Sequence, residues 1–107
     1  MKYVIKISDS AFGDLEFIKN FIALDNKQKS DEYIKELFAK IDCLSSFPYL
    51  GKKASEKKIA VKDIYLLPCL KHIVVYKVYE GTKTVQLLSV VSHYQNWEKI
   101  LEEKEAE

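Results

Sequence analysis

The chain opens with alternating apolar and polar positions. Tyr3, Ile5 and Ile7 alternate with mainly polar side chains, although Val4 interrupts the polar side. A period of two residues is typical of a strand that buries one face. We therefore expect a strand over residues 2–8.

Residues 10–24 change to helical spacing. Their apolar positions recur every three or four residues, at Ala11, Leu15, Ile18 and Ile22, with Phe21 beside them. This spacing predicts a helix with one buried face. Ser8 or Ser10 is the expected cap, and Gly13, a poor helix former, is expected to make the start irregular.

A second helix is predicted after a polar turn at residues 25–29. Its apolar face consists of Tyr33, Ile34, Leu37, Phe38, Ile41 and Leu44. Ser30 is the expected cap. The helix should end near residues 45–46, because Pro48 disfavours helical geometry at Phe47. Since the link is so short, the two helices should form an antiparallel hairpin.

The last third of the chain is typical of β-structure. Residues 63–67 are a short apolar run that we expect Pro68 to end. Residues 72–79 and 84–92 are rich in β-branched side chains and flank a turn at 80–83, which predicts two central strands of an antiparallel meander. Residues 96–103 are predicted to form a short helix that docks through Trp97 and its apolar neighbours.

The order β-α-α-β-β-β predicts one α+β domain over residues 1–107. It comprises an N-terminal strand, an antiparallel helical hairpin, a three-strand antiparallel meander and a short C-terminal helix. The length of 107 residues and an apolar content of 48% are enough for one core. No apolar run approaches the roughly 18–20 residues of a membrane span, and no signal peptide is visible, so we expect a cytoplasmic protein.

Several chemistries are not indicated by the sequence. The three glycines are isolated, which argues against a phosphate-binding loop, and no His or Cys spacing suggests zinc. We therefore expect no cofactor and no metal site. Cys43 and Cys69 stand in apolar surroundings and are expected to be reduced core thiols.

Positive charge is concentrated in the middle of the chain. The net charge is only +1, but all seventeen basic residues are lysine. Five of them form a candidate nucleic-acid-binding surface: Lys52, Lys53, Lys57, Lys58 and Lys62. The alternative is an ordinary solvated loop. Residues 98–107 are acidic, with five Glu against two Lys.

Two histidines at strand ends are candidates for acid–base chemistry. Lys71 and His72 lie at the start of one predicted strand, and His93 and Tyr94 follow the next. Histidine titrates near neutral pH, so it can move a proton to or from an RNA 2′-hydroxyl. The alternative is that His72 is a hydrogen-bonded, half-buried residue and that the other pair simply faces water.

A set of motifs spread over residues 3–101 resembles the RelE/ParE superfamily of toxins from type II toxin–antitoxin systems. The motifs are A-x-x-D-L-x-x-I at residues 11–18, L-x-x-x-P-x-x-G at residues 44–51, a strand that contains Tyr76, and the ending NWEKIL. The fold of this superfamily matches the predicted order. The resemblance implies a toxin that arrests growth and is silenced by an antitoxin whose C-terminal segment wraps around it.

The resemblance implies two alternative activities. RelE-type members cut messenger RNA on the ribosome, using Arg and Lys, whereas ParE-type members poison DNA gyrase. This chain has Ile73 where RelE-type toxins often carry Arg, and Tyr94-Gln95 where they often carry Lys or Arg. If the chain is a ribonuclease, Lys71, His72, His93 and Tyr94 would have to bind phosphate or transfer protons.

The sequence-based expectation is therefore a toxin that binds an essential target such as DNA gyrase. The alternatives are a ribosome-dependent mRNA endoribonuclease and a non-toxic, antitoxin-binding module. In each case the expected partner is a cognate antitoxin, whose acidic residues would cover the Lys-rich surface. No membrane partner is expected.

Overall fold

Two helices pack against one face of a five-stranded sheet. The computed structural model describes residues 2–54 and 63–92. Its elements are β1 (Val4–Ile7), α1 (Asp9–Ala23), α2 (Lys27–Asp42), β2 (Lys52–Lys53), β3 (Ile64–Cys69), β4 (His72–Tyr79) and β5 (Thr84–Ser92), with a 3₁₀ turn at Cys43–Ser45 after α2. The predicted α+β class and the helical hairpin are confirmed.

The strand order across the sheet is β1-β5-β4-β3-β2. β1 runs parallel to β5, and the other neighbours are antiparallel. β4 and β5 are central, as their continuous apolar character predicts. β1 reaches only as far as Ile7, opposite Leu87, so the second half of β5 extends beyond β1.

The helix caps were predicted correctly for α1 and wrongly for α2. The Ser8 hydroxyl accepts the backbone N–H of Ala11 at 3.0 Å. In α2 the cap is Asn26, whose side chain accepts the N–H of Lys29 at 3.1 Å, so the helix begins earlier than expected. The hydroxyl of Ser30 instead donates to the carbonyl oxygen of Lys19 at 2.6 Å. Ser30 thus joins the two helices.

Three further sequence predictions were wrong. α1 continues through Gly13, because a single glycine costs less than the packing of the helix contributes. β3 continues through Pro68. Among the described residues β2 pairs only with Tyr65 and Leu66 of β3, so Pro68 lies on an edge of the described sheet, where proline is tolerated. Cys43 is exposed, since it directly follows α2, and only Cys69 is a buried thiol. The predicted helix at 96–103 lies outside the described residues.

The sheet has apolar residues on both faces. The main core, with Leu15, Leu37 and Tyr76, lies between the helices and the sheet. A smaller cluster on the opposite face contains Ile64, Val75 and Val91, with partly buried neighbours that include Ile73. In the described ranges, no helix is long and apolar enough to span a membrane.

Candidate functional site

A cleft of about 790 Å³ opens between α1, the first turns of α2 and the ends of β4 and β5. Its apolar lining comes mainly from one helix: Phe17, Ile18, Phe21 and Ile22. Lys29 and Lys71 bring positive charge to it, and Asp14 brings a carboxylate. The cleft is therefore a largely apolar concave surface with a few polar groups, which is typical of a binding site.

Tyr33, on α2, forms a polar centre in this cleft. Its hydroxyl accepts the backbone N–H of Lys71 at 3.0 Å and lies 2.5 Å from Nδ1 of His72. The two rings meet edge to face, 5.5 Å apart. Burial raises the pKa of Tyr33, although the bond from Lys71 opposes this. Tyr33 therefore stays protonated at neutral pH and can donate to an unprotonated Nδ1.

Asp14, on α1, connects the helix to the free side of β5. One carboxylate oxygen accepts the hydroxyl of Ser89 at 2.8 Å and the backbone N–H of Val90 at 2.9 Å. This part of β5 lies beyond the end of β1. The side chain of Asp14 therefore supplies an acceptor where a neighbouring strand would otherwise do so.

An aromatic wall forms the outer side of the cleft. The rings of Phe17 and Phe21 stack with their centres 6.1 Å apart, yet the residues are 69% and 66% exposed. The sequence pattern placed Phe21 beside the buried face of α1. It is exposed because α2 and the sheet cover only the side of α1 that carries Leu15 and Ile18.

Of the candidate catalytic residues, the structure brings two together. Lys71 and His72 line the cleft beside Tyr33, and the prediction of a hydrogen-bonded, half-buried His72 fits its contact with Tyr33. His93 and Tyr94 lie outside the described residues. Sequence reasoning missed the role of Tyr33, which it assigned to an apolar face, and that of Asp14, which it recorded only as a motif position.

The candidate nucleic-acid-binding lysines are not in the cleft. Lys52 and Lys53 form β2, at the opposite edge of the sheet from β1, and both are exposed. Lys53 lies 3.4 Å from a carboxylate oxygen of Asp63. Lys57, Lys58 and Lys62 lie outside the described residues, so the nucleic-acid-binding surface stays a prediction.

A second polar cluster surrounds Glu80 in the turn between β4 and β5. Its carboxylate accepts the hydroxyls of Tyr3, at 2.5 Å, and Tyr49, and the ammonium group of Lys83 at 2.9 Å. The hydroxyl bonds from Tyr3 and Tyr49 and the bond from Lys83 lower the pKa of Glu80 to about 2. None of these residues lines the cleft, and the cluster joins β1 and the loop after α2 to the β4–β5 turn.

Solved structures of other proteins share this fold at low identity. The chromosomal ParDE system of P. aeruginosa aligns with a TM-score of 0.67 at 18% identity, over 85% of this chain and 96% of that one. A mutant of the E. coli toxin RelE in the free state aligns with a TM-score of 0.66 at 15% identity, over 98% of each chain. The RelBE2 toxin–antitoxin complex of Mycobacterium tuberculosis gives 0.60 at 17% identity, over 87% and 100%.

These alignments place the chain in the RelE/ParE-like fold class, with its helical hairpin on one face of a five-stranded sheet. Residues 5–97 also match the family model of the ParE toxin of the type II toxin–antitoxin system parDE. The chain therefore belongs to the ParE toxin family, within the RelE/ParE superfamily. None of the curated proteins matches the sequence significantly.

Proposed function

We propose that this protein is a growth-inhibiting toxin that acts by binding an essential bacterial protein, with DNA gyrase as the target, and that a cognate antitoxin silences it. Membership of the ParE family supports a toxin that acts on gyrase rather than on RNA. The neighbours described as ParDE and RelBE2 systems support an antitoxin partner.

The environment of Ile73 is the observation that carries this proposal. Ile73 stands where the resemblance to RelE-type toxins implies an arginine. It packs in the apolar cluster of Ile64, Val75 and Val91, on the sheet face opposite the helices. An apolar cluster gives no donor to a phosphate oxygen and does not stabilise the added charge of a cleavage transition state.

The experiment is induced expression without antitoxin, together with assays of purified toxin on purified gyrase. We expect growth arrest, loss of supercoiling activity and accumulation of cleaved DNA–gyrase complexes, while messenger RNA ends stay unchanged. Arrest with an unaffected gyrase at excess toxin would contradict the gyrase assignment. A folded wild-type protein that causes no arrest would contradict the toxin proposal and favour a non-toxic, antitoxin-binding module.

A second candidate function is a ribosome-dependent mRNA endoribonuclease. The observation that favours it is the group of Lys71, His72 and Tyr33 at one end of the cleft, which combines a cation with an imidazole. In that case a Lys71→Ala, His72→Ala double variant would lose codon-phased cleavage of messenger RNA, whereas Lys6→Ala, an exposed lysine on β1, would keep it. Full arrest by the double variant, with intact messages, would contradict this alternative.

A further inference from the structure

A second groove, of about 490 Å³, lies between α2 and β1. Ile5 and Ile7 line it from β1, and Phe38 and the buried Ile41 line it from α2. Phe38 is 40% exposed, and β1 stands at one end of the described strand order. An exposed aromatic ring therefore lies beside an apolar hollow at the edge of the sheet, here called the α2–β1 groove.

Four exposed residues of α2 form a stripe along the α2–β1 groove. In chain order they are Lys35, Phe38, Ala39 and Asp42. Their spacing of three, four and seven residues places them on one side of the helix. The two apolar residues lie in the middle of the stripe. The opposite charges of Lys35 and Asp42 lie at its ends, about 10 Å apart along the helix axis.

This distribution of charge is complementary to itself. A twofold axis through the middle of the stripe reverses the direction of α2. It would set Lys35 of one copy against the partner's Asp42, and the same contact would form a second time across the axis. Among the described residues neither side chain belongs to an ion pair within its own chain. A stripe with charges of one sign at both ends would instead repel its own copy.

The position of Asp42 also favours a partner with positive charge. Asp42 is the last residue of α2, where the negative end of the helix dipole disfavours a carboxylate. The carboxylate therefore lowers the stability of its own helix. A lysine from a second copy would offset this unfavourable contact, and Lys35 is the lysine that the twofold arrangement supplies.

Helix packing is a better basis for this contact than pairing of the β1 strands. β1 has only four residues and carries the exposed Lys6. A short edge strand with a lysine opposes edge-to-edge pairing. A helix satisfies its own backbone hydrogen bonds and needs only side-chain contacts. The geometry therefore favours α2 against α2 of a second copy.

We propose that the α2–β1 groove is a homodimer interface, in which α2 packs antiparallel against the same helix of a second copy. Lys35 pairs with the partner's Asp42, and Phe38 enters the partner's groove beside β1. The inference goes beyond the proposed function and does not depend on it. No described residue that lines the α2–β1 groove also lines the cleft at α1.

Sedimentation velocity of the purified full-length protein over a concentration series tests the association. We expect a reversible dimer. Phe38→Glu should weaken self-association by about thirty-fold, as the loss of an interface hot spot does. Phe47→Glu is the matched control, because Phe47 is 65% exposed and does not line the groove, and it should leave self-association unchanged. A folded wild-type protein that stays monomeric at every concentration would overturn the proposal.

Exchange of the charges tests the antiparallel arrangement. Lys35→Asp and Asp42→Lys should each weaken self-association by about tenfold, because each sets like charges together twice in the dimer. A mixture of the two variants should form a heterodimer of about wild-type affinity, since each supplies the charge that the other lacks. Lys19→Asp, at an exposed lysine on α1, should have no effect. A mixture that associates no better than either variant alone, with both folded, would contradict the arrangement.

Photocrosslinking identifies what occupies the groove in the presence of another partner. A photoreactive phenylalanine analogue replaces Phe38 or Phe47 in the full-length protein, co-expressed with the protein encoded beside it in its operon. We expect position 38 to give a crosslinked species of twice the chain mass, joined to a peptide of β1 or α2, and position 47 to give none. Crosslinks from position 38 to the co-expressed protein alone would overturn the proposal.

Discussion

The hydroxyl of Tyr33 lies 2.5 Å from Nδ1 of His72 and links the helical hairpin to the first residue of β4. The same oxygen accepts the N–H of Lys71 at 3.0 Å. One phenol thus fixes the tight turn between β3 and β4 against α2. It also engages Nδ1 of His72, so a catalytic proton transfer at that nitrogen would first have to break this hydrogen bond.

Replacing Tyr33 with Phe should lower the free energy of unfolding by about 1 kcal/mol, because it removes these two hydrogen bonds and keeps the ring. Urea unfolding, followed by circular dichroism, measures the change. Tyr79→Phe is the control, since Tyr79 is half exposed on β4 and the substitution should have little effect. If both variants unfold at the same urea concentration as the wild type, the link from Tyr33 does not stabilise the protein.

Asp14 offers a second test, in which the charge and the hydrogen bonds can be separated. Asp14→Ala leaves the N–H of Val90 and the hydroxyl of Ser89 without this acceptor, in residues that are 4% and 1% exposed. The expected loss is about 2 kcal/mol, the usual cost of removing the acceptor of a buried backbone N–H. Asp14→Asn keeps an acceptor oxygen and should lose less than half as much. Amide hydrogen exchange at Val90 should quicken in the Ala variant, and unchanged protection there would contradict the assignment.

The sequence predicted the fold well where hydrophobic periodicity decides it. β4 and β5 were predicted with the bounds that the structure shows, because a long run of β-branched residues fits only central strands. The parallel pairing of β1 with β5 was not predicted. It depends on tertiary contacts between segments far apart in sequence, which periodicity does not report.

The cleft was only partly predictable. Lys71 and His72 were candidates because their side chains carry visible chemistry. Tyr33 was assigned to an apolar face, because its position fits the helical spacing of the apolar residues. That spacing does not show that its hydroxyl makes hydrogen bonds. Phe21 is exposed although its spacing suggested burial, because the hairpin covers only one side of α1. When a helix has apolar residues on two sides, the packing of its neighbours decides which side is buried.

Two glycines should respond to alanine in opposite directions. A Cβ at Gly51 would lie 2.7 Å from the hydroxyl oxygen of Tyr76 and 2.8 Å from the carbonyl oxygen of Leu66. Tyr76 is fully buried, so Gly51→Ala should cost about 2 kcal/mol through overpacking. At Gly13, inside α1, a Cβ would meet nothing within 4 Å, so Gly13→Ala should stabilise by roughly 0.5–1 kcal/mol.

Thermal unfolding of both glycine variants measures these effects. We expect the melting temperature to fall for Gly51→Ala and to rise for Gly13→Ala. A rise at position 51 would mean that Tyr76 moves aside without cost, and a fall at position 13 would mean that α1 does not continue through that residue.

The cluster around Glu80 should make the free energy of unfolding depend on pH in the acid range. The folded-state pKa of about 2 lies below the ordinary value of 4.5, chiefly because the hydroxyls of Tyr3 and Tyr49 donate to the carboxylate. A carboxyl group with a lowered folded-state pKa stabilises the fold above its unfolded-state pKa, and this stabilisation is lost as the pH falls through the folded-state pKa. Glu80→Gln should therefore be less stable than the wild type at neutral pH, and the difference should close between about pH 5 and pH 2. Urea midpoints across this range test the prediction against Glu16→Gln, an exposed glutamate on α1, and a difference that stays constant with pH would contradict it.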